Sequence, residues 1–118
     1  MAIVRPQTVR RSNVFNQWLD SLTDDVARRA ITIRTVRIEA GLFGDVKSLG
    51  GGVSEIRVDV GQGYRVYFHR QGLTVTLLLC GGDKSTQDED IKAAKKMVAN
   101  LKPPKPKTGR KGAPKRGK

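Results

Sequence analysis

A chain of 118 residues has room for one domain and no second core. Its net charge of +12 is unevenly spread: the final 17 residues, KPPKPKTGRKGAPKRGK, hold 8 basic and no acidic side chains, leaving +4 on residues 1–101. The single cysteine excludes an internal disulfide, one His with one Cys makes no zinc site, and no apolar run is long enough to span a bilayer.

The N-terminal residues MAIVRPQTVRR carry charges where a signal peptide needs its apolar stretch, so a cytoplasmic protein without a membrane role is expected. Residues 3–10 are read as a first strand, which Pro6 restricts to an edge or an end. Ser12 then caps a helix whose apolar stripe is Phe15, Trp18, Leu19 and Leu22. Thr23, followed by Asp24 and Asp25, starts a second helix. Its stripe is Val26, Ala30 and Ile33, with Ala27, Ile31 and Ile38 beside it, and Gly41 stops it. Two helices with almost no connector predict an antiparallel helical hairpin.

Residues 42–52, LFGDVKSLGGG, read as a glycine-rich loop pinned by Leu42, Phe43 and Leu49. Strands over 53–60, 64–70 and 73–80 follow, joined by the short turns Gly61-Gln62-Gly63 and Gln71-Gly72. The last is apolar on both faces near its end, which predicts a central strand. Ser85 or Thr86 caps a final helix with acids Asp88, Glu89 and Asp90 first and lysines later, burying Ile91, Ala94, Val98 and Leu101. The fold class is therefore α+β: a small, mainly antiparallel sheet in the order β-α-α-β-β-β-α, with a helical hairpin on one face and a C-terminal helix. Residues 1–101 form the domain. Residues 102–118 lack the apolar surface to offset ordering entropy and are expected to be disordered.

Strand alternation gives one apolar set, Ile56, Val58, Val60, Tyr64, Val66 and Phe68, which belongs against the helical hairpin. The opposite set holds Glu55, Arg57, Asp59, Arg65, Tyr67 and His69, and must face solvent or a ligand. Lys84 leaves the next strand and Lys47 comes from the glycine-rich loop. Cations converging on one face suit a phosphodiester backbone, and tyrosine or histidine can stack on a base. The plain alternative is a strand face kept polar for solubility. Neither GGG at 50–52 nor GQG at 61–63 has the context of a phosphate-binding loop. The acids at 88–90 are better explained as helix-start residues than as metal ligands, so no metal and no cofactor are expected. Cys80, at the end of an apolar strand, is read as core.

The runs LGGGVSEIR at 49–57, GQGYRVYF at 61–68 and LLLCGGDKSTQDEDI at 77–91 resemble the phage-derived, HigB-like branch of the RelE/ParE toxin superfamily, the addiction module killer proteins. The resemblance covers roughly residues 14–101 and implies a RelE-like fold. It also implies a toxin of a type II toxin–antitoxin system that cleaves mRNA, on the ribosome, and so inhibits translation. In that chemistry the RNA's own 2′-hydroxyl attacks the adjacent phosphate and no metal takes part. Arg65, in GYR, matches the family's most characteristic arginine; Arg57 and Lys84 match neighbouring basic positions. The resemblance thus implies Arg65, Arg57 and Lys84 as catalytic; the reading of the strand face adds His69 to them, with Tyr67 and Lys47 as RNA-binding. It also implies a helix-turn-helix, HigA-like antitoxin as partner. Residues 86–118 hold no aromatic side chain and no His, where many relatives carry one. A ParE-like DNA gyrase inhibitor without nuclease activity is the alternative within the superfamily.

Overall fold

In the computed structural model, which describes residues 4–101, three helices pack on the two faces of a single five-stranded sheet. The elements are β1 (Thr8–Arg11), α1 (Asn13–Ser21), α2 (Asp25–Glu39), β2 (Val46–Gly50), β3 (Val53–Val58), β4 (Tyr64–Gln71), β5 (Val75–Gly82) and α3 (Gln87–Ala99). A turn of 3₁₀-helix over Lys84–Thr86 leads into α3. The sheet order is β1-β5-β4-β3-β2, with β1 parallel to β5 and every other pair antiparallel. The basic segment 102–118, for which sequence predicts disorder, lies outside the described residues. Among the described residues no helix is long and apolar enough to cross a membrane.

Local chemistry sets the element ends. Ser12 caps α1, its Oγ accepting from Phe15 N at 2.9 Å and donating to Leu79 O at 2.6 Å, so one hydroxyl ties the helix start to β5. Asp24 caps α2 by accepting from Ala27 N. The sequence reading gave that role to Thr23, but a carboxylate one residue later sits directly at the helix start. Gly41, at φ 85°, stops α2 as expected. Thr86 stands at the N-cap of α3, one of the two positions expected, though its side chain makes no capping bond; Asp83 caps the 3₁₀ turn before it, accepting from Ser85 N at 2.8 Å.

The hairpin α1–α2 covers one sheet face. Phe15, Leu19, Ala27, Ile31 and Ile38 meet Ile56, Val58, Tyr64, Val66, Phe68 and Leu78 in the main core. The apolar strand set thus falls where alternation puts it. The α2 stripe does not: Ala27, Ile31, Thr35 and Ile38 are buried, whereas Val26 and Ile33 face outward.

Three further expectations are corrected. The glycine-rich loop contains a strand, β2, whose pairing with β3 adds a fifth strand to the sheet. Within that segment Phe43 stacks near Phe68 and Leu49 joins a core, but Leu42 is exposed. Strand β5 is interior, paired on both sides, as its two apolar faces predict. Finally, the polar face is not left open. Helix α3 lies on it, and Ala94, Ile91, Met97 and Val98 pack with Val53, Tyr67, Leu79 and Cys80 into a second core.

Candidate functional site: an arginine pair sharing a buried carboxylate

The β3–β4 hairpin places Arg57 and Arg65 directly opposite each other, and Glu55 directly opposite Tyr67. All four side chains belong to one sheet face by alternation. Glu55 is 1% exposed, with its Oε2 at 3.7 Å from Arg57 Nε and 3.8 Å from Arg65 Nε. One carboxylate therefore sits between two guanidinium groups. The arginines differ in access: the Arg57 side chain is 58% exposed and that of Arg65 only 8%.

Burial is poorly compensated here. Both carboxylate oxygens of Glu55, the Nε of Arg65 and the hydroxyl of Tyr67 are buried without a hydrogen-bond partner among the described residues. Burial under α3, reinforced by the Glu55 charge, pushes the Tyr67 phenol up to about 12. Burial and then Asp90 push the Cys80 thiol up to about 12, so that sulfur stays protonated and inert. The Asp90 carboxyl is also raised, by partial burial, although Thr86 donates a hydrogen bond to it at 2.6 Å.

The remaining sequence candidates divide. Lys47 pairs with Glu55 across β2–β3 and is exposed, so it belongs to the same row. Lys84 is exposed and lies two residues beyond Gly82, the cross-strand partner of Arg65. His69 does not join the arginines. It lies four residues along β4, roughly 13 Å away, with its Nδ1 donating to Gly52 O at 2.7 Å. Tyr67 is fully buried, so its ring offers no stacking surface in this arrangement. Glu55 was missed as a site residue. The alternation that grouped it with Arg57, and the hairpin register, were the available signals.

A groove of about 660 Å³ opens beside this row, where edge strand β2 begins and β3 runs on without it. Arg34, Arg37, Lys47 and Arg57 supply its cations, Asp45, Glu55 and Asp59 its acids, and Leu42 and Val46 its apolar wall. Arg34 is held in place, donating to Arg57 O at 2.8 Å and Phe43 O at 3.2 Å. This arrangement can bind a phosphodiester through Arg57 and Lys47 with Arg65 behind them. Among the described residues no three of His, Cys, Asp and Glu gather as a metal-holding group.

No family model matches the chain. An uncharacterized protein of Haemophilus influenzae is 46% identical over 93 residues, which span 79% of this chain and 94% of that protein.

Proposed function

The chain belongs to one family with the uncharacterized Haemophilus influenzae protein; from its own residues and their resemblance to the RelE/ParE superfamily we propose that it is a RelE/HigB-like toxin, an endoribonuclease acting on mRNA. The observation that carries this reading is the Arg57–Arg65 cross-strand pair, of which Arg57 lines an open groove that also holds Arg34, Arg37 and Lys47. In the proposed reaction the 2′-hydroxyl gives its proton to water as its oxygen bonds to the adjacent phosphorus, while the bond to the 5′-oxygen breaks and that oxygen takes a proton from water. A 2′,3′-cyclic phosphate and a 5′-hydroxyl result. Arg57 meets the phosphate, Arg65 adds charge from behind, and Lys47 and Lys84 hold the flanking backbone. The guanidinium groups stabilise the negative charge that builds on the pentacoordinate phosphorus. Glu55 acts as a positioning residue, fixing both guanidinium groups before RNA arrives. A cognate antitoxin is the partner this reading implies.

Controlled expression of wild type, Arg57→Ala and Arg65→Lys, followed by mapping of RNA 5′ ends, tests it. Wild type should generate new 5′-hydroxyl ends; Arg57→Ala should lower cleavage on the order of 10²–10³-fold if it contacts developing charge. Wild-type cleavage by both variants overturns the assignment. A ParE-like gyrase inhibitor is the second reading. It is favoured by one observation: Tyr67 is buried and His69 remote, so neither stands beside the arginine pair as a proton carrier. Loss of DNA supercoiling with no new RNA ends would select it.

A further inference from the structure

Acids and cations separate along the sheet. Asp59, Asp83, Asp88, Glu89 and Asp90 stand at the end where β3 and β5 finish and α3 begins. At the other end the β2–β3 turn, the last residues of β4 and the C-terminal half of α3 meet. Residues 46–54, VKSLGGGVS, and 91–101, IKAAKKMVANL, bring Lys47, Lys92, Lys95 and Lys96 to it and no acid. Asp45 and Glu55 adjoin the first of these runs, one in the groove and the other buried between the two arginines. The remaining acids, Asp20, Asp24, Asp25 and Glu39, belong to the helical hairpin on the opposite sheet face.

One corner of the basic end is held in a fixed shape. The Lys95 stem crosses the turn: its Cγ and Cδ lie 3.2 and 3.3 Å from where a Cβ at Gly51 would stand, and its Nζ 3.9 Å from the same point at Gly50. His69 Nδ1 donates to Gly52 O at 2.7 Å and Val98 lies against the same glycine, so the turn is tied to β4 and to α3. Gly50, Gly51 and Gly52 have φ of 81°, 61° and 79° and are all exposed, so a ligand meets bare backbone there. Lys47, opposite Glu55, stands on the same sheet face as Arg57. Arg57, Lys47 and Lys95 therefore follow one another from groove to turn, over about 17 Å of strand.

We propose that Lys95 and the Gly50–Gly52 turn hold a second phosphate of a single RNA strand, several nucleotides from the one that Arg57 meets. The inference rests on the reading of Arg57 as the residue that meets the scissile phosphate. A stacked strand advances about 3.4 Å per phosphate, so about 17 Å holds about five nucleotides, fewer if the strand is extended. The ammonium is a point charge for one phosphate, and backbone N–H groups beside it add donors that read no base. The site selects the length of RNA held rather than its sequence.

The probe is RNA bearing 2′-O-methyl groups, which lacks the attacking hydroxyl, in lengths of about four and about twelve nucleotides. Binding to the full chain is read by fluorescence anisotropy over a series of salt concentrations. Lys95→Met keeps an apolar stem on the turn and removes the charge. It should weaken binding of the longer RNA and lower the salt slope by about 0.7, the value for one phosphate of a single strand. The advantage of the longer RNA over the shorter should shrink with it, and Lys95→Arg should restore both. Lys96→Met removes the same charge one residue on and should change the slope far less; circular dichroism checks that each variant keeps the fold. Equal effects of Lys95→Met and Lys96→Met overturn the proposal, by showing a diffuse field in place of a site. Weakening by Arg57→Ala with none by Lys95→Met overturns it and leaves the arginine row standing. RNA binding indifferent to both Arg57→Ala and Lys95→Met overturns both readings.

Discussion

Glu55 and Tyr67 face each other across β3 and β4, and both are buried. Their costs differ. The Tyr67 hydroxyl has no partner among the described residues, so Tyr67→Phe removes a desolvated polar group without opening a cavity. Urea unfolding at pH 7 should show the variant as stable as wild type or up to about 1 kcal/mol more stable. Glu55 is the counter-charge of a buried arginine. Glu55→Ala leaves Arg65 buried and unpaired and should lower stability by about 3 kcal/mol, read from the same urea curves. Alternation made most of this row visible in sequence; the register that sets Arg57 opposite Arg65 comes from the structure. What sequence could not show was depth: nothing in EIRVDV or YRVYFHR says that α3 would seal Tyr67 and leave Arg57 outside. A carboxylate among arginines also reads as surface charge balance until its burial is seen.

At the scale of elements, two neighbouring glycines fix where the helical layers touch the sheet. A Cβ at Gly81 would run into the Trp18 ring of α1, and one at Gly82 would overlap the Asp90 carboxylate of α3. Neither glycine has a positive φ, so close approach is the constraint there rather than backbone conformation. Gly81→Ala should therefore cost roughly 1–3 kcal/mol by overpacking, and Trp18→Leu should recover part of that loss in a double-mutant cycle. The run LLLCGG looked like one uniformly buried strand because a register shift lies inside it. Tyr67 pairs with Cys80 and Phe68 with Leu78, so Leu79 is the extra residue; Leu78 enters the core under α1–α2, while the consecutive Leu79 and Cys80 both enter the one under α3. Helix α2 was misread for a related reason. It carries apolar residues on two sides, and periodicity alone cannot say which side meets the sheet. Strand β2 was hidden by its glycines: Gly50, Gly51 and Gly52 all have positive φ and turn the chain from β2 into β3.

Across the whole molecule, two buried acids set the alkaline limit. Tyr67 and Cys80 are both held protonated, each raised to about 12 from ordinary values of 10.0 and 9.0. Each raised value favours the fold fully while the unfolded group is still protonated, and that contribution is lost as pH rises towards the folded value. Stability should be flat up to about pH 9 and fall steadily between pH 9 and 12; Tyr67→Phe should shallow the fall. Thermal unfolding followed across that range checks it. Charge acts at the same scale. Removing residues 102–118 takes the chain from +12 to +4, because that segment holds 8 basic and no acidic residues. Binding to a generic polyanion such as heparin should weaken, with a shallower dependence on salt, measured by elution or titration at several ionic strengths. The strand and helix order was legible apart from β2, because periodicity and glycine turns are local signals. The groove was not, because it is made by α2, the loop after it and a strand edge meeting in space.

The parallel pairing of β1 with β5 has a consequence for how the molecule is assembled. Thr8–Arg11 finds its neighbour in Val75–Leu78, while the hairpin bearing Arg57 and Arg65 closes within itself. During synthesis the N-terminal strand must wait, unzipped, until almost the entire domain has been made. Its docking is a late, long-range event, and the loop it closes is the most entropically demanding in the domain. The outer border of the sheet beside β5 therefore stays available to other chains until the first strand returns to cover it.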